Sequence, residues 1–225
     1  MPQKKPTPKQ IAQLVETYKS RIDEFSLFSL QVTEFFRGSR QFREGPLPLV
    51  HSVKSRLKDP NHLAEKIKRK WVDGPITPEN LFTKITDFAG VRVLHLHTQQ
   101  FSEINRAINE HVAKGFLHLH EPPVAYSWDP EATKFFENLG LEAKTRESYY
   151  TSIHYVVKPH AQTDLTCEIQ IRTLFEEIWG EIDHALNYPS PSNNVACKEQ
   201  LRVLAKLSST GTRLADSIFK IATLG

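Results

Sequence analysis

The stretch CEIQIRTLFEEIWGEIDH, residues 167–184, pairs a strictly alternating strand with a helix that follows it at once. Side chains two positions apart share one face of a strand, so Glu168, Gln170 and Arg172 project together while the residues between them enter the core. A carboxylate, an amide and a guanidinium in a row suit the binding of a metal ion, a sugar or base, and a phosphate. The alternation is equally typical of a half-exposed strand with an internal ion pair, so by itself it leaves both interpretations open.

The segments around this stretch predict a mixed sheet. SYYTSIHYVVKP and TDLTCEIQIRT, joined by the polar turn HAQTD, form a predicted antiparallel hairpin, and FAGVRVLHLH is short and apolar enough to be a buried strand. A further short strand is predicted in PPVAYSW. Strands and helices do not alternate regularly enough for a doubly wound parallel sheet. We therefore expect the α/β (α+β) class, with a small, largely antiparallel sheet flanked by helices.

Helical periodicity covers most of the remaining chain. One or two helices are predicted over residues 8–36, another after Pro60, and another in QQFSEINRAINEHVAKGF, which stops near Gly115. Asp129, followed by a proline, opens a short helix. Residues 195–223 form one or two more helices, whose predicted apolar stripe includes Leu201, Leu204, Leu207, Leu214 and Ile218.

Composition bounds the class of protein. The chain has 225 residues, 39% of them hydrophobic, which is enough for one compact domain with a buried core. The N-terminus MPQKKPTPKQ lacks the apolar run of a signal peptide, and no apolar run reaches 18 residues, so no membrane partner is expected. The two cysteines do not have metal-ligand spacing, which fits a reducing compartment. We expect a cytoplasmic protein.

Positive charge is concentrated in one segment, although the formal net charge is only +3. The run KSRLKDPNHLAEKIKRK, from Lys54 to Lys70, suits a polyanion such as nucleotide phosphates or RNA, and is also typical of a solvated helix face. The chain contains neither GxxxxGKS/T nor GxGxxG, and only nine glycines. Because a phosphate cradle of backbone amides is not expected, side chains must supply the positive charge.

Two further groups of polar residues are candidates for the same site. Tyr150 and His154 share one face of a predicted strand, where a tyrosine can stack on a nucleobase and a histidine can hold phosphate or a hydroxyl, although packing is the commoner role of both. Asp87 precedes a buried strand, as a turn former or as a carboxylate aimed at a divalent ion. Asp87 and Glu168 are expected to approach each other from neighbouring strands, and Mg²⁺ takes one or two carboxylates while phosphates complete its shell.

Four stretches together resemble the synthetase domain of RelA/SpoT-type alarmone synthetases. They are HSVKSRLKDPNHLAEKIKRK, ITDFAGVRVL, YYTSIHYVV and CEIQIRTLFEEIWGEIDHALNY. The resemblance implies a nucleotidyltransferase-like fold and a small monofunctional synthetase, which transfers pyrophosphate from ATP to the 3′-hydroxyl of GDP or GTP and releases AMP. It divides the chain into an N-terminal helical segment over residues 1–44, a pyrophosphotransferase domain over 45–190, and C-terminal helices over 191–225.

The resemblance also implies a role for each candidate residue. The ATP phosphates are assigned to six basic residues: Arg56, Lys58, Lys66, Lys68, Arg69 and Arg92. The acceptor is assigned to Tyr150, stacked on its base, and to His154, Gln170, Arg172 and Arg146. Asp87 and Glu168 form the catalytic pair that shares Mg²⁺, the expected cofactor, and Glu168 activates the 3′-hydroxyl. Trp179 and His184 are expected to pack against these residues and support them.

Two features depart from the family pattern. The loop before the family's tyrosine reads P-K-x-N-G-Y, whereas this chain has RESYY, with Arg146 in place of the lysine, Ser148 in place of the asparagine and Tyr149 in place of the glycine. The stretch from Leu117 to Lys144 is also longer than in compact synthetases. Both features bear on the acceptor.

These departures leave alternatives open. One is the same chemistry on an adenosine nucleotide or on the 3′-CCA end of tRNA, as in growth-inhibiting toxins. Another is a catalytically silent module that senses nucleotides. No counterpart of the hydrolase domain of bifunctional relatives is recognised in the chain. The terminal helices are expected to serve either self-association or the docking of a regulatory domain beyond residue 225.

Overall fold

One sheet of seven strands organises the computed structural model, which describes residues 5–45, 47–146, 148–187 and 192–222. The strands are β1 (Ser52–Leu57), β2 (Ala89–His95), β3 (His118–Leu119), β4 (Val124–Tyr126), β5 (Glu142–Lys144), β6 (Ser152–Lys158) and β7 (Cys167–Thr173). Neighbours follow the order β1-β2-β7-β6-β4-β5, and β3 pairs with β6. Because β2–β7 and β4–β5 are parallel and the other described pairs are antiparallel, the predicted largely antiparallel sheet is confirmed.

Helices flank the sheet, as the sequence predicts. They are α1 (Pro8–Lys19), α2 (Ile22–Gly38), α3 (Arg40–Arg43), α4 (Pro60–Lys70), α5 (Leu81–Lys84), α6 (Gln100–Ala113), α7 (Pro130–Asn138), α8 (Leu174–Asn187) and α9 (Val195–Ala222), with a 3-10 turn at Trp71–Asp73. Asp129 caps α7 by accepting from two backbone amides, and Asp59 does the same for α4. Strand β7 passes into α8 with no residue between them.

The two faces of the central strands differ in burial. Val91, Val93, Ile169 and Ile171 are fully buried, because α2 packs on that face. An aromatic cluster fills the space between the N-terminal helices and the sheet, and Tyr18 stacks on Phe88 at 4.9 Å between ring centroids. Residues 8–43 therefore share one core with the sheet. The division of the chain at residues 44 and 190 stays a prediction.

The sequence pattern missed three strands. The basic stretch is helical after Pro60, as predicted, but its first part lies in β1, which pairs with β2. Strand β1 has a single buried side chain, Val53, so it carries almost no apolar alternation. Strands β3 and β5 are only two and three residues long, too short to leave a pattern.

The prediction for the C-terminal stripe was partly wrong. Residues 195–222 form one helix, in which Leu201 is buried, but Leu207, Leu214 and Ile218 are 62%, 60% and 55% exposed. The buried line of α9 consists mainly of small side chains, at Ala205, Ser208 and Thr212. Small residues allow a close approach to α8, so the larger apolar residues on the other side of α9 face outward.

Some predictions concern residues outside the described ranges. Pro46 in GPLPL, Glu147 in RESYY and Tyr188 at the end of CEIQIRTLFEEIWGEIDHALNY are among them. Cys167 and Cys197 are both free. Among the described helices, none combines the length and the apolar character needed to cross a bilayer.

Candidate active site

The candidate residues converge on the open face of the three central strands. The register places Gly90 of β2 beside Glu168 of β7, and Gln170 of β7 beside His154 of β6. Glu168, Gln170 and His154 therefore share one face, as the alternation predicts, and α8 packs against the same strands. A Cβ at Gly90 would lie 3.7 Å from the Arg56 side chain, so the absence of a side chain leaves open space over β2 at this point.

Two adjoining cavities lie on this face. The central cavity, of about 450 Å³, is lined by Asp87, Glu168, Gln170, Arg172 and Tyr150 among others. The basic cavity, of about 1190 Å³, is lined by five of the six basic residues assigned to ATP: Arg56, Lys58, Lys66, Lys68 and Arg69. Arg56 and His184 line both cavities. A triphosphate in the basic cavity would therefore lie next to the carboxylates of the central cavity.

Glu168 belongs to a closed ring of hydrogen bonds among five side chains. On one side, Arg172 donates to the Tyr150 hydroxyl at 2.9 Å, the hydroxyl contacts His154 Nε2 at 2.9 Å, and His154 Nδ1 contacts Glu168 Oε1 at 3.2 Å. On the other side, Arg172 donates to Gln170 Oε1 at 2.9 Å, and Gln170 Nε2 donates to Glu168 Oε2 at 2.7 Å. Two arms thus run from one guanidinium to the two oxygens of one carboxylate.

The ring fixes one proton position by exclusion. Arg172 can only donate, so the Tyr150 hydroxyl accepts from it. An ionised Glu168 can only accept, so His154 Nδ1 carries the hydrogen between them. The contact between His154 Nε2 and the Tyr150 hydroxyl suits either atom as the donor.

The charge of Glu168 follows from these neighbours. Burial would raise the pKa of this carboxyl, but the hydrogen bond and charge of His154 oppose it; nearby Asp87 raises the pKa, and Gln170 lowers it. The net effect holds the pKa of Glu168 below its usual value, so the group is ionised at neutral pH. Asp87 and Glu168 also line the same cavity, so the two predicted carboxylates are neighbours.

Asp87 links the two cavities. Its Oδ2 accepts from Lys58 and Lys66, each at 2.7 Å, while its buried Oδ1 has no hydrogen-bond partner among the described residues. Burial would raise the pKa of Asp87, but Lys66 and Lys58 outweigh that effect and hold it below its ordinary value. An unpartnered buried carboxylate oxygen beside a second carboxylate fits a divalent cation.

The donor set for such a cation is incomplete without a ligand. In the described part of the chain, no group of three or more His, Cys, Asp or Glu side chains is placed to hold a metal ion. The protein offers the two carboxylates of Asp87 and Glu168. This arrangement is typical of Mg²⁺ sites in which substrate phosphates and water supply the remaining ligands.

Arg172 is held more tightly than the sequence suggests. The residue is 3% exposed, and besides the two ring contacts its NH1 lies 3.4 Å from Glu177. Above it, α8 carries Gly180, where a side chain would approach Arg172 NH1 to 2.7 Å. The sequence gives no signal for this close approach, because Gly180 lies in an ordinary helical pattern.

Arg92 is engaged by α8 rather than turned toward the basic cavity. Its guanidinium donates to Glu177 at 3.0 Å and to Glu181 at 2.5 Å. It lines the central cavity, so the ATP role assigned to it stays a prediction. Glu177, which the sequence analysis missed, also lies near Lys54 and Arg172, and it therefore connects α8 to β1, β2 and β7.

The segment just before β6 contacts residues of β4 and β6. Arg146 lies over the Tyr126 ring at 4.0 Å and near the Tyr150 ring at 5.7 Å. Tyr126, which the sequence analysis missed, also makes an edge contact with His154 at 5.0 Å. Tyr149, which stands where the family pattern has glycine, adopts φ 60°, a conformation that glycine favours.

The two supporting residues on α8 differ from each other. Trp179 is buried and donates to the Leu201 carbonyl at 3.0 Å, which confirms the predicted packing role. His184 is exposed and lines both cavities, so the prediction that it packs was wrong. It lies three turns into α8, where the helix has passed the sheet and reaches the mouths of the cavities.

The sequence of this chain is similar to those of known proteins. A family model described as "Region found in RelA / SpoT proteins" matches residues 55–193. The chain is 39% identical over 84 residues to GTP pyrophosphokinase YjbM of Bacillus subtilis (strain 168), a match that spans 35% of this chain and 39% of that relative.

Two solved structures show the same fold. A GTP pyrophosphokinase family protein from Streptococcus pneumoniae matches with a TM-score of 0.65 at 21% identity, over 89% of this chain and 92% of that one. The small alarmone synthetase 1 from Bacillus subtilis, bound to its product pppGpp, matches with a TM-score of 0.62 at 23% identity, over 96% and 97%.

Proposed function

Because the chain belongs to the RelA/SpoT family, we propose that it is an ATP-dependent pyrophosphokinase, with the 3′-hydroxyl of GDP or GTP as acceptor. The curated relative is named a GTP pyrophosphokinase, and one similar structure holds pppGpp as its product. The observation that carries the proposal is the position of Glu168. Its ionised carboxylate lies in a cavity that adjoins a second cavity lined by six lysine and arginine residues.

The reaction needs one new bond and one broken bond. The acceptor 3′-oxygen attacks the β-phosphorus of ATP, the bond from that phosphorus to the α-phosphate oxygen breaks, and AMP leaves with the electron pair. The hydroxyl proton passes to Glu168, whose oxygens retain lone pairs beyond those used in the ring. A positioned general base of this kind contributes roughly 10²–10⁴-fold to the rate.

The basic cavity supplies the positive charge. Lys58 and Lys66 are 17% and 18% exposed, so their ammonium groups act on phosphates in a partly desolvated place. Arg56 lies where the two cavities meet, next to the position of the transferred group. Mg²⁺ held by Asp87 and Glu168 would neutralise phosphate charge there.

The magnesium site has a test independent of turnover. Binding of Mn²⁺, which replaces Mg²⁺ at oxygen ligands, is measured by electron paramagnetic resonance in the presence of a non-hydrolysable ATP analogue. We expect Asp87→Asn to weaken that binding at least tenfold, and Glu181→Gln, a carboxylate of the same cavity, to leave it within twofold. Equal binding by wild type and Asp87→Asn would refute the site.

The acceptor is identified by a direct assay. ATP labelled in the γ-phosphate is incubated with GDP, GTP, ATP or deacylated tRNA, and the labelled products are separated. We expect label on GDP and GTP, with Glu168→Gln as the inactive control. Label on tRNA or on an adenosine nucleotide alone would replace the guanine acceptor by one of the alternatives. Nucleotide binding without any transfer would favour the silent sensing module.

Self-association stays a proposal, with a second copy of this chain as the partner. Beyond its first turn, the exposed large apolar residues of α9 are Val203, Leu207, Leu214, Ile218 and Ile221, whose spacings of four, seven, four and three are those of a helix that packs on another helix. Sedimentation analysis of the wild type against Leu214→Glu tests this. Equal masses for both proteins would reject the interface.

A further inference from the structure

Two successive tyrosines project to opposite sides just before β6. Tyr150 lines the central cavity, whereas Tyr149 lines a separate cavity of about 190 Å³ between α7, α8 and α9. Tyr149 is also the one non-glycine residue with positive φ among those described. Left-handed backbone is unfavourable for a residue that carries a Cβ, so the surrounding structure must hold it there.

Trp128 provides that hold. Its ring meets the Tyr149 ring edge-to-face, with 5.2 Å between centroids and 72° between planes. The backbone of Trp128 is fixed on both sides, because Ser127 donates to the Lys144 carbonyl at 3.1 Å and the Asp129 amide donates to Ser127 Oγ at 3.1 Å. Asp129 is itself buried, caps α7 and accepts from Ser209 of α9.

The backbone turn at Tyr149 determines where Tyr150 lies. The Tyr150 hydroxyl is the link between Arg172 and His154, and through them it belongs to the ring around Glu168. If residue 149 returned to an extended conformation, the direction of the next side chain would change. Tyr150 would then leave both of its hydrogen-bond partners.

We propose that Trp128 is a positioning residue for the acceptor site: by holding Tyr149 in the left-handed conformation, it presents Tyr150 to the acceptor. This inference rests on the proposed function and adds to it a determinant outside the residues that line the two substrate cavities. Trp128 touches no substrate. Its effect depends on the φ angle of Tyr149, so changing Trp128 should weaken acceptor binding and leave ATP binding unchanged.

The test compares four variants by steady-state kinetics. Trp128→Leu removes the aromatic contact, and Trp128→Phe retains it. Tyr149→Val places a β-branched residue, which resists the left-handed region, and Tyr149→Gly removes the conformational demand. We expect Trp128→Leu and Tyr149→Val to raise the acceptor KM about tenfold while the ATP KM stays within twofold, and Trp128→Phe to raise it less than threefold.

The double variant identifies the route. If Trp128 acts through Tyr149, then adding Trp128→Leu to Tyr149→Gly changes the acceptor KM by less than twofold. The inference would be overturned if the effects of the two changes on the acceptor KM multiplied. It would also be overturned if Tyr149→Gly raised the acceptor KM as much as Tyr149→Val does. A fall in kcat together with a rise in the KM values of both substrates would mean that Trp128 only packs, and this result would also overturn the inference.

A spectroscopic arm separates this inference from the proposed function. Tyrosines labelled with ¹³C at Cζ are observed by NMR, and the Tyr150 resonance is assigned with Tyr150→Phe. We expect Trp128→Leu and Tyr149→Val to shift that resonance and Trp128→Phe to leave it in place. An unshifted resonance in Trp128→Leu refutes the positioning role even in an active enzyme. Absence of transfer by the wild type refutes the function, while the NMR result still decides the positioning role.

Discussion

The basic cavity and the central cavity meet at Arg56 but are built in different ways. Five of the six lysine and arginine residues of the first come from one continuous segment, β1 to α4, and two of them converge on Asp87. The second depends on a ring in which every polar side chain bonds two others. Losing a member of the ring therefore affects the remaining members, whereas losing a cation affects mainly the charge it carried.

The largest expected effect tests whether the ring acts as a unit. Tyr150→Phe keeps the aromatic face but breaks one arm, and His154→Asn breaks the same arm. We expect each to lower kcat/KM for the acceptor about 30-fold, since each leaves buried polar groups without a partner, and the double variant to lie within threefold of the worse single one.

A matched tyrosine serves as the control for the ring. Tyr155 lies on the other face of β6, where its hydroxyl donates to Asn105 Oδ1 at 2.6 Å. Tyr155→Phe should lower thermal stability and leave the acceptor KM within twofold. If the losses of kcat/KM in Tyr150→Phe and His154→Asn multiplied in the double variant, the ring would not act as a unit and the two cavities would not differ in this respect.

A pair of lysines on α4 sharpens the description of the basic cavity. Lys66 is 18% exposed and held by Asp87, whereas Lys68 is 51% exposed and pairs with Glu65. We expect Lys66→Ala to raise the ATP KM about tenfold, equal to about 1.4 kcal/mol, and Lys68→Ala less than threefold, because solvent screens an exposed charge. Equal effects would mean that position within the cavity does not matter.

Gly180 gives a smaller effect that separates activity from stability. Gly180→Ala places a methyl group against the Arg172 guanidinium, so we expect the acceptor KM to rise about fivefold. Helix propensity favours alanine by about 1 kcal/mol, so the melting temperature should not fall. Gly38→Ala in α2 is the control, since its nearest neighbour is 3.8 Å away. A Gly180→Ala enzyme with wild-type kinetics would show that Arg172 can move freely.

The smallest effect is one of stability and pH, at the start of α8. Burial raises the pKa of Glu176 to about 7, although the backbone amide and hydroxyl of Thr173 and the charge of Arg172 oppose it. Since the folded pKa lies above the unfolded one, the neutral form stabilises the fold below about pH 4.5, and this contribution is lost as the pH rises to about 7.

Glu176→Gln tests that direction. Glutamine keeps the mutual hydrogen bonds with Thr173 at the start of α8 and cannot ionise. Urea titrations should therefore find the variant more stable than wild type by about 1–2 kcal/mol at pH 8.5. This is less than the free energy that corresponds to the full pKa shift, because solvent still reaches part of the Glu176 side chain. The difference should shrink to near zero at pH 5. A constant difference across this range would contradict the raised pKa.

The sequence predicted what depends on local order. Alternation in β7 places Glu168, Gln170 and Arg172 on one face, and the basic run indicates the cavity it lines. What it missed depends on contacts between distant segments. Glu177 and Tyr126 matter because of what β2, β6 and β7 bring beside them, and β1 is stabilised by its pairing with β2 rather than by apolar residues of its own.

Strand β7 and helix α8 are joined directly at Thr173 and Leu174, so no hinge separates the guanidinium of Arg172 from the helix above it. Redesign of α8 for a new acceptor would therefore gain little, since each tilt of the helix would also disturb Arg172 and, through the ring, Glu168. The segment around Tyr149 and the Trp128 that contacts it are connected to Glu168 only through the side chains of Tyr150 and His154, so changes there alter one arm of the ring and leave the backbone of β7 and α8 in place.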